Sequence, residues 1–219
     1  MIESFAHSEA LRTVIAERLS RFELLPRSDH RGLKHAAVVI AIAALEGSDP
    51  FGSPGDAAFL LTRRTPKLRS HGGQFALPGG RVDAGETGPQ AALRELQEEI
   101  GIELGPEAIL GALDDYPTRS GYVISPIVAW VPPGTAVALN AAEVARLYRI
   151  PLADLRRADS PEIFSIPESD RPLIRLPLPI PNTKVNSPTA AVLYQFREVA
   201  LEGRATRVQQ FDQPVFAWR

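Results

Sequence analysis

The 219-residue chain contains no cysteine and a single methionine. Without cysteine there are no disulfides, no thiolate nucleophile and no cysteine-based zinc site, and the chain suits a reducing cytoplasm, where it is expected to reside. Long apolar runs are missing too. No stretch reaches the roughly 18 residues that a membrane-spanning helix needs, so no membrane association is expected. The N-terminus mixes Glu, Arg and His with apolar residues and lacks the apolar segment of a secretory signal. Neither sign of charge is in large excess. The 24 Lys and Arg and 26 Asp and Glu leave a net charge of −2, which argues against general affinity for nucleic acid. Internal repeats and low-complexity segments are also lacking.

What is present has the balance of a globular enzyme, 44% hydrophobic and 23% charged. The length suggests one domain with extra segments: an N-terminal helix near 8–22 and a C-terminal helix with an aromatic tail near 188–219. In the first, Leu11, Val14, Ile15 and Leu19 fall near one helical face. Ala36 to Leu45 is a continuous apolar run that predicts a central strand. Further strands are expected near 57–63, 75–77, 109–115 and 123–131. Short helical pieces are expected over Val144–Tyr148 and Leu152–Arg157. Residues 171–181 carry four prolines and predict an edge strand or an extended connection. The tail holds Phe211, Phe216 and Trp218, so it is expected to pack on its own domain or in a homodimer interface.

The densest chemistry lies in Gly80 to Ile102, GRVDAGETGPQAALRELQEEIGI. Glu95, Glu98 and Glu99 stand at i, i+3 and i+4, so a helix places all three carboxylates on one side. Leu93, Leu96 and Ile100 fall on another side as the core stripe. Thr87 and Gln90 fit a capping box, Pro89 is tolerated in the first turn, and Gly101 fits the left-handed C-terminal position. Like charges at this spacing cost an isolated helix roughly 0.2–0.5 kcal/mol per pair, so something should offset the repulsion. Mg²⁺ or Mn²⁺ is the natural candidate, because hard cations take oxygen ligands. A charge run alone is ordinarily a solvated face; the surrounding glycine and arginine spacing is what favours a site.

That spacing resembles the Nudix box: Gly, five residues, Glu, seven residues, then Arg-Glu-apolar-x-Glu-Glu-x-Gly-apolar. Gly80, Glu86, Arg94, Glu95, Leu96, Glu98, Glu99, Gly101 and Ile102 meet its positions. The resemblance implies an α/β Nudix fold, an α/β/α sandwich around a mixed β-sheet with the box as loop-helix-loop. It also implies metal-dependent hydrolysis of a small-molecule diphosphate. Glu95, Glu98 and Glu99 are then expected to be metal ligands, with a carbonyl from Gly79. Arg94 is expected to orient a box glutamate, Glu86 to tie the loop to the helix, and Gly80 to permit the loop conformation. Glu98 is the first choice for general base and Glu143 the downstream alternative.

Just before the box the chain reads LLTRRTPKLRSHGGQFALPGG, from Leu60 to Gly80. This resembles the signature of the coenzyme A diphosphatase branch, with Leu60, Leu61, Thr62, Arg64, Arg69, Gly73, Pro78, Gly79 and Gly80 in register. Thr65 stands where Ser or Ala is usual and Leu77 where Phe is usual. Physically the segment is a strand followed by a basic loop, in which Arg63, Arg64, Lys67 and Arg69 are candidate substrate-binding cations. CoA carries a 3′-phosphate besides its diphosphate, and arginine forks match phosphate oxygens. Thr118, Ser120 and Gly121 fit a later element of the same branch. Hydrolysis of CoA or its derivatives is therefore the expected activity. The alternatives are another Nudix specificity, such as ADP-ribose or a nucleoside triphosphate, and a Nudix-fold sensor that binds without cleaving.

Overall fold

The structure is a computed structural model that describes residue 2 and residues 5–25, 32–66, 72–180 and 182–215. Lys67, Arg69, Phe216 and Trp218 lie outside the described residues.

Strand β1, Lys34–Ala44, is the apolar run KHAAVVIAIAA. Alternate side chains point to opposite faces of a strand, and here both faces are buried. Ala37, Val39, Ala41 and Ala43 serve one core, while Ile40 and Ile42 serve the other. Three strands pair with β1: β2, Ala57–Arg64, and β4, Gly79–Arg81, antiparallel, and β7, Tyr122–Trp130, parallel. The short strands β3, Phe75–Ala76, and β6, Tyr116–Pro117, pair with β2 and β7, and β5, Ile109–Ala112, completes the β7 side.

Helices cover both faces. Helix α2, Gly88–Ile100, lays Ala91, Ala92, Leu96 and Ile100 on the alanine-rich face of β1. Helix α1, Glu9–Arg21, packs Leu11, Ile15 and Leu19 on the opposite face, beside Leu193 and Phe196 of α3, Thr189–Phe196. The result is the expected α/β/α sandwich around a mixed sheet. Both termini of α2 follow the sequence signals. The Thr87–Gln90 capping box is formed, and Gly101 closes the helix at φ 72.

Two local expectations are corrected. Residues 144–148 are not helical: Val144–Pro151 forms strand β8, antiparallel to β2 from Ala58 to Arg64. Val144 and Leu147 pack on the α2 side and Tyr148 and Ile150 on the other, so pairing and burial override the helical preference of this short run. The proline-rich stretch is not an edge. Strand β10, Ser169–Pro177, lies between β9, Glu162–Ile166, and β11, Lys184–Asn186, in a separate three-stranded sheet. Pro172 falls within the register shift between Ser169 and Leu173, outside the regular ladder, and Pro177 is the last residue of the strand, opposite Lys184 at the end of the β11 pairing.

One buried ionic knot joins the α1 exit, the sheet and the C-terminal segment. Asp114 has no exposed side-chain surface. Both of its oxygens take Arg207 Nη1 at 2.7 Å; Leu25 N–H donates to one at 2.9 Å and Gln195 Nε2 to the other at 2.8 Å. Burial alone would push this carboxyl up, but the donors from Leu25, Arg207 and Gln195 outweigh it and hold it below the ordinary aspartate range. Its contribution is therefore complete above the unfolded value and is lost as pH falls through the folded one. Asp114→Asn keeps the shape and should cost roughly 1.5–3 kcal/mol at neutral pH, the worth of charge-assisted hydrogen bonds. Urea unfolding of both proteins at pH 7 and in acid checks this; the gap should narrow in acid.

Candidate active site

The box loop and α2 are fastened by one guanidinium. Arg94 Nε and Nη2 donate to the two oxygens of Glu86 at 3.0 and 3.1 Å, and Nη2 also reaches Arg81 O at 2.9 Å. Nη1 donates to Glu95 Oε1 at 2.9 Å and to Glu98 Oε2 at 3.0 Å. The planar fork thus clamps the loop on one side and two carboxylates on the other. Glu86 also accepts Asp83 N–H at 3.0 Å, closing the loop on itself.

The three helix carboxylates differ sharply in exposure. The side chain of Glu98 is 55% exposed, that of Glu95 14% and that of Glu99 2%. Glu99 Oε1 takes Arg64 Nη1 at 3.3 Å, while its Oε2 is buried without a hydrogen-bond partner among the described residues. Burial pushes the Glu99 carboxyl up to about 7; Arg64 opposes this, and Glu95 and Glu143 reinforce it. Glu95 is also pushed up by burial, against the pull of Arg94. Glu143 lies just before β8 and accepts Asn140 Nδ2 at 3.3 Å, and its charge bears on both buried carboxyls.

Gly80 leaves the room that Glu95 fills. A Cβ there would lie 2.2 Å from Glu95 Oε1, so a side chain would push that carboxylate aside. Its neighbour Gly79 lets β4 approach β1, because a Cβ would meet Ala37 O at 2.3 Å and Val38 Cα at 2.7 Å.

Among the described residues no three acidic or imidazole groups already stand as a metal cage. Arg94 holds Glu95 and Glu98, and Arg64 holds Glu99. The donor set nevertheless fits a hard divalent cation. It offers carboxylate oxygens only, two of the groups are destabilised as anions by burial, and one buried oxygen has no partner.

A cleft of about 670 Å³ opens beside this cluster. Gly79, Gly80 and Arg64 line its carboxylate end, β1 contributes Val38, and Thr118, Ser120 and Tyr122 form a side. Of the four cations singled out in the sequence, Arg64 lines the cleft, Arg63 is exposed with Nε 3.4 Å from Gly73 O, and Lys67 and Arg69 fall outside the described residues. Two cleft cations were not anticipated: Arg81, whose Nε donates to Tyr122 Oη at 3.0 Å, and Lys184. Arg81 stands inside the quoted box and could have been suspected; nothing in the sequence around Lys184 marks it.

The NUDIX domain family pattern matches residues 34–168. An uncharacterized Nudix hydrolase, NudL, of Photorhabdus laumondii is 37% identical over 145 residues, covering 64% of this chain and 73% of that protein. The protein of the same name from Yersinia enterocolitica is 37% identical over 154 residues, with 68% and 74% covered. A solved MutT protein from Methanosarcina mazei Go1 is 27% identical, covers 57% of this chain and 83% of its own, and superposes with a TM-score of 0.42.

The buried Glu99 carries a pH signature. Its folded value of about 7 lies above the ordinary glutamate value of 4.5, so folding favours the protonated form. Without metal, this group's contribution is complete below about pH 4.5 and is lost as pH rises through about 7, on the order of 3 kcal/mol at most. Denaturant unfolding in chelator at pH 5 and pH 8 should show wild type losing stability relative to Glu99→Gln across that window. Equal pH responses of the two proteins would remove the buried-anion interpretation.

Proposed function

The chain belongs to the Nudix family, and on that premise we propose that it is a divalent-metal-dependent diphosphatase that splits CoA or a CoA derivative into 3′,5′-ADP and a 4′-phosphopantetheine. The observation that carries this reading is the position of Arg64. It leaves the end of β2, lies 3.3 Å from the buried Glu99 and lines the cleft. A signature arginine of the CoA-cleaving pattern therefore stands between the carboxylate cluster and the space for substrate. Three further residues of that pattern have structural work in β2. Leu60 and Leu61 are buried in β2, and Thr62 Oγ1 donates to Ala76 O at 3.0 Å, holding β3 against β2.

In this reading Glu95, Glu98 and Glu99, with the carbonyl of Gly79, hold Mg²⁺ or Mn²⁺. The bound ion would neutralise the diphosphate and make a water more acidic. The chain supplies position and electrostatics. Arg94 keeps Glu95 and Glu98 in register with the box loop through Glu86. Glu98, the exposed member of the three, is the carboxylate placed to take a proton from a solvent water. Glu143 is the second carboxylate near the cluster. Arg64 would exchange its partial hold on Glu99 for substrate phosphate oxygens, with Arg81 further along the cleft. Mass spectrometry of the products from CoA, run beside ADP-ribose and a deoxynucleoside triphosphate with Mg²⁺ or Mn²⁺, tests the assignment; 3′,5′-ADP should form from CoA.

Two variants probe the roles. Glu98→Gln should lower turnover by orders of magnitude while the protein still folds, because that side chain is exposed and its hydrogen bond among the described residues is the Arg94 contact at 3.0 Å. Near-normal turnover would remove Glu98 from the mechanism. Arg64→Ala should lower kcat/KM on CoA by about ten- to a hundredfold, as expected for one charge-assisted phosphate contact. Comparing CoA with dephospho-CoA locates that contact. A selective loss on CoA marks the 3′-phosphate, an equal loss marks the diphosphate, and no loss excludes Arg64 from binding.

A further inference from the structure

The family pattern ends at residue 168, yet one wall of the cleft comes from beyond it. Strand β11 supplies Lys184, Val185 and Asn186; Ser187 and Pro188 connect to α3; and α3 supplies Thr189 and Val192. Val38, Leu77 and Ile124 of the family-defined part line the same space.

The chemistry of the enclosed space is selective. No Asp or Glu lines it among the described residues, so nothing there meets a cationic ligand. Its three cations already have partners in the chain: Arg64 with Glu99 at 3.3 Å, Arg81 with Tyr122 at 3.0 Å, and Lys184 with Glu162 at 2.6 Å. The wall opposite the carboxylate end is otherwise neutral. Half-buried Pro188, with the edges of the mostly buried Val185 and Val192, gives an apolar lining, while half-buried Asn186 and Thr189 offer uncharged donors and acceptors. A polyol such as a second ribose would leave many hydroxyls facing those valines unpaired, at a cost for each. An amide-bearing apolar chain would match the wall group for group, its amides against Asn186 and Thr189 and its methylenes against Val185 and Val192.

We infer that the β11–α3 wall is the specificity element of the site, and that it takes the non-nucleotide half of the substrate as a neutral, amide-bearing chain. The inference rests on the CoA reading for the name of that chain, the pantetheine arm. It rests on the cleft alone for its chemistry. Thr189 and Asn186 are specificity residues here, distant in sequence from the carboxylates and contributed by elements that carry none of the hydrolytic groups.

The two products of CoA cleavage separate the two halves of the site. Binding of 4′-phosphopantetheine and of 3′,5′-ADP is measured by calorimetry for wild type, Thr189→Trp and Asn186→Ala, and melting curves confirm that each variant folds. Thr189 is half-buried at the first position of α3, so a larger ring there enters the cleft rather than the core. The Trp variant should weaken 4′-phosphopantetheine by about tenfold or more and the Ala variant by a few fold, with 3′,5′-ADP held within about twofold in both. Equal loss of both ligands, no loss of either, or a wild type that does not bind 4′-phosphopantetheine overturns the inference. Hydrolysis of CoA by wild type is assayed alongside. Turnover of CoA with an insensitive wall leaves the CoA reading intact and removes the inference. Selective loss of 4′-phosphopantetheine binding without CoA turnover sustains the wall and removes the catalytic reading.

Discussion

Burial of β1 on both faces is the constraint from which the rest of the molecule is arranged. A strand hidden on two sides needs helices on two sides, and Lys34–Ala44 obtains them from α2 and from α1 with α3. Its side chains differ in size by face. The small residues Ala37, Ala41 and Ala43 bring α2 close, and at its edge β1 pairs with β4 from Ala36 to Val38, where Gly79 lets the two backbones approach. The carboxylates of α2, the glycines of the box and the floor of the cleft are therefore placed by one strand that carries no catalytic group.

Within that frame the electrostatics are deliberately incomplete. Three glutamates on one short segment of helix repel one another, and the structure manages them in different ways. Arg94 neutralises the more accessible pair and binds them to Glu86. Glu99 has a long contact to Arg64 and one buried oxygen with no hydrogen-bond partner among the described residues. A fully satisfied network would make a rigid helix and a poor cation site. In the metal-dependent reading proposed above, that oxygen is the position open to a hard cation, and Arg64 offsets part of the cost of the buried charge.

Much of this was legible in the chain. The capping box, the glycine closing α2, the burial of β1 and the clustering of Glu95, Glu98 and Glu99 all follow from short-range spacing. What was not legible depends on contacts between residues far apart in sequence. Strand β8 reads as a helix because its partner, β2, lies some eighty residues earlier. The prolines of β10 suggest an edge because the sequence does not show that Pro172 sits in a register shift. The Arg94 contacts to Glu95 and Glu98 occur along one helix, yet the rotamer that serves both at once is set by Glu86 and Arg81 O in the loop. The cleft wall from Lys184 to Val192 carries no motif at all; only the packing of β11 and α3 brings it over the box.

The division of the cleft between two stretches of chain has a consequence for the order in which the protein becomes competent. During synthesis, α2 and its carboxylates emerge long before Thr189, Val192 and Gln213, which complete the cleft. At about 5–20 residues per second the interval is several seconds. The closing segment is then secured late, by Gln213 accepting Arg119 N–H at 2.8 Å and by Asp212 paired with Arg119 and Ser169. The cleft is thus completed by segments that are synthesised after the helix contained in the family pattern.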